Sequence, residues 1–296
     1  HSKLLIARSK RGYSQHRNIA LLSKRTPQIY KSVNDLRQFI NQGRQQGHTV
    51  AFVPTMGSLH QGHLDLVQKA SELADIVVVS IFVNPMQFGP HEDFDAYPRT
   101  LDSDCDALSD CECDAVFAPT VREIYPKGVN TEIDVPGLST ILCGHHRPGH
   151  FKGVATVVTK LLNIVQPEIA VFGNKDYQQL QVIRTLVTDL LMPAEIIGAD
   201  TTREPSGLAM SSRNAYLSAT ERDTASRLYA SLQAIGEALK NDHKSRPHSE
   251  IKENGWLQLG LSLITSRSVM PMIYLNHMWN RRQRWFWSQP GSDKHD

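Results

Sequence analysis

The chain has 296 residues, 40% hydrophobic and 21% charged, with a formal net charge of +2. That is ordinary globular composition, long enough for a substantial core arranged as one large or two modest domains. The near-neutral charge gives no electrostatic case for nucleic acid or a membrane as partner, and apolar runs such as 76–83 are far too short to span a bilayer. Residues 1–26 are polar and basic with little periodicity, and read as an extension outside the core. They lack the apolar stretch and cleavage site of a secretory signal. From Ile29 a helical pattern runs through Val33, Leu36, Phe39 and Ile40. Strands are then predicted at 49–54, 76–83, 114–118, 168–172 and 194–198, and helices at 62–74, 100–110, 151–165 and 176–191. Short β-branched runs separated by helices predict βαβ units: an α/β fold with a Rossmann-like parallel sheet. Ligands of such sheets bind at the carboxyl ends of the strands.

The chemistry-bearing segments fall at those ends. Thr55-Met56-Gly57-Ser58-Leu59-His60-Gln61-Gly62-His63 follows the first long strand and opens a helix. Two imidazoles at a helix N-terminus can face one anion, where free N–H groups and the dipole favour negative charge. They can also donate to charge that builds on a phosphate. Asn84-Pro85-Met86-Gln87 follows the next strand, and paired amides beside a rigid proline turn can fix a polar ligand. Asp102, Asp104 and Asp106 open a helix, where acids compensate the dipole; Mg²⁺ with a nucleotide also uses one or two carboxylates. Cysteines at 105, 111, 113 and 143 lack the paired spacing of a zinc site and read as reduced structural thiols, with a cytoplasmic location. His145, His146 and His150 have no regular ligand spacing and read as a loop that shapes a site. Gly173-Asn174-Lys175-Asp176 follows a buried strand and offers a point cation for phosphate; Gln179 lies one turn further on. Met210-Ser211-Ser212-Arg213 supplies two hydroxyls and a guanidinium suited to clamping phosphate oxygens.

Together the stretches 54–63, 79–88, 97–100, 147–154, 172–180 and 207–214 closely resemble the pantoate–β-alanine ligase family, in order and spacing, and the likeness covers about residues 28–260. The resemblance implies a nucleotidyltransferase fold with a catalytic domain over 27–200 and a smaller lid domain over 201–296. It implies ATP-dependent condensation of pantoate with β-alanine through a pantoyl adenylate, with Mg²⁺, releasing AMP and pyrophosphate. It also implies a homodimer. Carried over residue by residue, Met56, Gly57, Ser58, Leu59, His60, Gln61, Gly62 and His63 hold ATP, with His60 and His63 on its phosphates and His63 the proton donor. Gly173, Asn174, Lys175 and Asp176 bind nucleotide, with Lys175 on phosphate. Gln87 and Gln179 bind pantoate, Gln87 also lying near β-alanine. Met210, Ser211, Ser212 and Arg213 close over the phosphates. Asp104 matches a magnesium-associated acid.

The chain also departs from the family pattern. Thr202 stands where an apolar residue near the adenine is usual, and Pro205-Ser206 replaces an acidic residue before Gly207. After about Leu261 the pattern gives way to tryptophan- and arginine-rich sequence without a clear period, including Trp279, Trp285 and Trp287. Residues 262–296 read as the product of a frameshift. The alternatives to the ligase are another nucleotidyltransferase with the same histidine motif, or a nucleotide-binding protein impaired by its altered tail.

Overall fold

The predicted strands assemble into one sheet, and its centre explains their composition. A computed structural model describes residues 26–90 and 92–242. The extension up to residue 25 and the atypical 262–296 lie outside the described residues. In chain order the elements are β1 (Gln28–Tyr30), α1 (Val33–Gln45), β2 (Val50–Thr55), α2 (Gln61–Ser71), β3 (Ile76–Ile81), α3 (Leu101–Ser109), β4 (Ala115–Phe117), α4 (Val121–Ile124), α5 (Cys143–His146), α6 (His150–Val165), β5 (Ile169–Gly173), α7 (Tyr177–Asp189), β6 (Glu195–Ala199) and α8 (Ala219–Asp242). The strand order is β1-β4-β3-β2-β5-β6, and every pair is parallel.

Both faces of a parallel sheet are covered, so its strands are apolar throughout rather than alternating. Val50, Phe52 and Val78 face a core built with α1, α6 and α7 through Leu36, Ile40, Val158, Leu161 and Ile183. Ala51, Val53, Val77 and Val79 face the opposite side, where Leu66, Val67 and Ala70 of α2 and Leu108 of α3 close over them. The strand period of two thus feeds two separate cores. Helix α6 is buried along most of its length and apolar nearly all round, as a helix wedged inside a domain must be. It ends at Gln166, in the left-handed region at φ 51°, whose N–H returns to the carbonyl of Leu162 at 2.7 Å; Pro167 follows and bars continuation.

From β2 the chain builds β3 and β4 outward on one side, then crosses to place β5 and β6 on the other. That reversal opens a crevice at the carboxyl ends of β2 and β5. Two elements differ from expectation. Ile29 belongs to β1 rather than to the first helix, and its side chain is 44% exposed. Helix α8 is largely polar, and no strong apolar period announced it.

Candidate active site

The turn after β2 is fixed from three directions. Thr55 donates its hydroxyl to the carbonyl of Ser80 at 2.7 Å and accepts from Gly57 N–H at 3.2 Å. Gly57 takes φ +83°, which a side chain would resist, and a Cβ there would also meet Asp104 Oδ2 and Ile81 Cγ2 at 3.0 Å. Asp104 is buried on α3, and its carboxylate accepts Ser58 N–H at 3.0 Å, Leu59 N–H at 2.8 Å and the Thr100 hydroxyl at 3.2 Å. The acid therefore holds the turn through both oxygens, and a magnesium ion there would have to share oxygens already engaged by protein donors.

His60 caps α2: its Nδ1 accepts from Gly62 N–H at 3.1 Å. His63 does the reverse one turn on, its Nδ1 accepting from His60 N–H at 3.3 Å. With both Nδ1 atoms accepting, each neutral ring carries its proton on Nε2. The rings lie 4.1 Å apart at 38°. Desolvation, then the charge of Lys175, lowers the pKa of His60. Desolvation, then His60 and Lys175, brings that of His63 down to about 3. Two neutral N–H donors thus sit side by side at a positive helix end.

Beside them, Pro85–Gln87 forms a single 3-10 turn capped by Asn84. Asn84 donates to Gln87 Oε1 at 3.2 Å and to the carbonyl of Gly153 at 3.1 Å, and accepts from the Tyr125 hydroxyl at 2.9 Å. Gly153 lets α6 approach this turn: a Cβ there would lie 2.3 Å from the Met86 carbonyl oxygen. Gln87 donates to Met56 Sδ at 2.9 Å. Its carbonyl accepts from His150 Nδ1 at 2.8 Å and from Arg147 at 3.4 Å, and Arg147 also pairs with Glu92. Burial and the Arg147 charge lower the His150 pKa to about 4, so this ring too is neutral.

One cavity of about 200 Å³ joins these groups. Its lining includes the polar groups of His60, His63, Lys175, Asp176, Thr202, Gln87, Gln179 and Tyr97 and the apolar side chains of Val154, Val157, Val158, Leu161 and Phe172. Of the sequence-predicted residues, Met56, Gly62, Gly173 and Met210 also border it, whereas Gly57, Ser58, Leu59, Gln61, Asn174 and residues 211–213 do not. Gly57, Ser58 and Leu59 shape the turn beneath, Gln61 donates to Asp65 at 2.8 Å on the outer side of α2, and Asn174 donates to Asp200 at 3.3 Å. Gln178, next to Gln179, points the other way: it bonds Cys143 N–H and the carbonyls of Leu138 and Ile141.

The segment after β6 makes a tight return. Glu204 and Leu208 pair through backbone at 2.8 Å, and Met210 N–H reaches the Thr202 carbonyl at 3.0 Å. Thr202 donates its hydroxyl to Asp65 on α2. Glu204 takes Arg222 in two bonds at 2.8 Å and Asn214 at 3.1 Å. Arg213 pairs with Asp93 at 3.1 Å over the Tyr97 ring. Among the described residues, no group of three or more His, Cys, Asp or Glu is arranged to hold a metal. The four cysteines are unpaired thiols, and burial raises the pKa of each. No described helix is long and apolar enough to cross a membrane.

Comparison with known proteins gives one answer. A family model described as pantoate-beta-alanine ligase matches residues 28–271. The pantothenate synthetase of Shewanella halifaxensis is 57% identical over 233 residues, covering 76% of this chain and 82% of that protein. That of Shewanella oneidensis is 59% identical over 210 residues, covering 70% and 75%. Among solved structures, the pantothenate synthetase of Thermus thermophilus superposes with a TM-score of 0.69 at 48% identity, over 72% of this chain and 76% of that one. The pantoate-beta-alanine ligase of Francisella tularensis, complexed with beta-gamma ATP and beta-alanine, gives 0.66 at 41%, over 70% and 79%.

Proposed function

The chain belongs to the pantoate–β-alanine ligase family, and we propose how its residues divide the work of that reaction. The enzyme joins pantoate to β-alanine in an ATP-dependent reaction. A carboxylate does not react with an amine until it carries a good leaving group. The pantoate carboxylate oxygen attacks the α-phosphorus of ATP, and the bond to pyrophosphate breaks. The β-alanine amine then attacks the acyl carbon of the mixed anhydride, sheds a proton and expels AMP.

One observation carries the assignment of roles: two histidine Nε2–H donors and Lys175 share a single cavity with the amides of Gln87 and Gln179 and an apolar wall. The histidines and Lys175 stabilise negative charge at the reacting phosphate. His63 donates its hydrogen bond there and His60 supports it. Gln87 and Gln179 hold the polar atoms of pantoate, while Val154, Val157, Val158 and Leu161 receive its dimethyl-bearing carbon. Asp176, Gly173 and Thr202 border the nucleotide. The segment from 201 acts as a lid, with residues 210–213 closing over the phosphates and keeping water from the anhydride. Mg²⁺ enters with ATP as part of the substrate, carried by phosphates and water; an enzyme that binds it this way needs no dedicated protein cage. The working form is a cytoplasmic homodimer with no nucleic acid partner.

The test omits one substrate. With ATP, Mg²⁺ and pantoate but no β-alanine, labelled pyrophosphate should exchange into ATP. Normal nucleotide binding without exchange overturns the adenylate route. The reading of an impaired protein turns on residues 262–296, outside the described residues, and full pantothenate formation by this chain would remove it.

A further inference from the structure

Two adjacent carboxylates between residues 89 and 99 each hold an arginine from a different part of the site. Glu92 takes Arg147 in two bonds at 2.7 and 2.5 Å, and Arg147 also reaches the Gln87 carbonyl at 3.4 Å. Asp93 takes Arg213 through Oδ1 at 3.1 Å. The guanidinium of Arg213 lies 5.8 Å from the Tyr97 ring centre. The two pairs are not equivalent. Glu92 uses both oxygens, whereas Asp93 Oδ2 is buried with no partner. A buried carboxylate oxygen without a donor costs free energy, so the Asp93 pair is poorly satisfied as a permanent structural link.

We propose that Asp93 is a stand-in for phosphate: its carboxylate and a phosphate oxygen of ATP are alternative partners for the Arg213 guanidinium. This rests on the reading of Arg213 as a phosphate clamp. Guanidinium binds phosphate bidentately, and a triphosphate carries several times the charge of one carboxylate, so the exchange runs toward the nucleotide. Asp93 then swings toward solvent and hydrates the oxygen that is orphaned in the pair. Glu92 stays on Arg147, so the loop keeps its hold on the Gln87 turn while its other end releases the clamp. Asp93 is a positioning residue in this scheme. It keeps Arg213 ordered at the rim above Tyr97, and its displacement draws on part of the interaction energy that ATP offers.

Removing the competing charge should therefore tighten nucleotide binding. The probe is α,β-methylene-ATP with Mg²⁺, titrated calorimetrically. Asp93→Asn should lower Kd about two- to five-fold, the range that a half-exposed ion pair supports. Arg213→Ala should raise Kd, and adding Asp93→Asn to it should then change nothing. A merely structural role for Asp93 would weaken binding in both backgrounds. If Arg213→Ala weakens binding but Asp93→Asn does not tighten it, the stand-in is wrong and the clamp stands. Equal tightening in both backgrounds makes it a general charge effect and also overturns the proposal. If Arg213→Ala leaves Kd unchanged, the clamp reading fails and the stand-in with it. Asp93→Ser removes the same charge with a different shape, and a shift of opposite sign to Asp93→Asn overturns the proposal as well.

Discussion

His63 accepts from the His60 backbone through Nδ1, which leaves Nε2–H as the donor it can offer a ligand. A donor of this kind matters most when charge has built up in the transition state. His63→Ala should therefore lower kcat about 10²–10³-fold while shifting ATP affinity far less, read from AMP release and direct nucleotide titration. Near-normal turnover would reassign the ring to capping α2. Gln178 and Gln179 give a sharper contrast because they are chain neighbours. Gln179→Ala should raise the KM for pantoate and leave nucleotide affinity near its original value, since a pocket amide acts locally. Gln178→Ala strands one backbone N–H and two carbonyls, so it should lower the melting temperature first. Equal loss of ATP affinity in Gln179→Ala would place that residue on the wrong ligand. The sequence showed two glutamines at a helix start; which one faces the cleft depends on the helix's rotation against the 138–143 loop, and no local pattern encodes that.

The turn between β2 and α2 is positioned by α3, an element that contributes nothing to the cavity wall. Asp104→Ala would leave the Ser58 and Leu59 N–H groups without acceptors, at a cost of about 1–3 kcal/mol. The expected result is a lower urea midpoint together with a higher KM for ATP. A variant as stable as the parent would show that water replaces the carboxylate. Helix α6 offers the matching test from the other face. Gly153→Ala places a methyl 2.3 Å from the Met86 carbonyl, so helix or turn must move. Pantoate binding should suffer more than nucleotide binding, because the displaced turn carries Gln87. The central strands and the helices around them were readable because burial on both faces makes their apolar runs continuous. Strand β1 was not: three residues are too short to show a period, and Tyr30 packs on Phe39 of α1, so the pattern ran on into the helix. The pairing of Arg147 with Glu92 and of Arg213 with Asp93 joins residues 55 and 120 positions apart, and charge alone does not select such partners.

Burial lowers the pKa of three of the described histidines, which ties stability to pH on the acid side. His63 and His150 have folded pKa values near 3 and 4, and that of His60 is lowered too, against about 6.5 in the unfolded chain. Between these limits the unfolded chain binds more protons than the folded one, so stability rises with pH. No cost remains above about pH 6.5, and the loss grows as pH falls toward 4. Glu92, lowered by Arg147, adds a loss in the same direction at still lower pH. Urea denaturation should give a lower midpoint at pH 5 than at pH 7, and His150→Gln should flatten that slope. A midpoint independent of pH across this window would mean the rings are protonated in the folded protein. The sheet order has a further consequence, this one for the newborn chain. Strand β2 meets β3 soon after synthesis, but its other edge waits for β5, and Val50 and Glu168, which bond across that junction, stand 118 residues apart. Until the ribosome delivers β5, Val50–Thr55 presents an open edge with both faces apolar, the kind of surface that pairs with a neighbouring chain. The strand whose end later borders the cavity is thus, for the 118 residues of synthesis that separate Val50 from Glu168, the segment most in need of shielding.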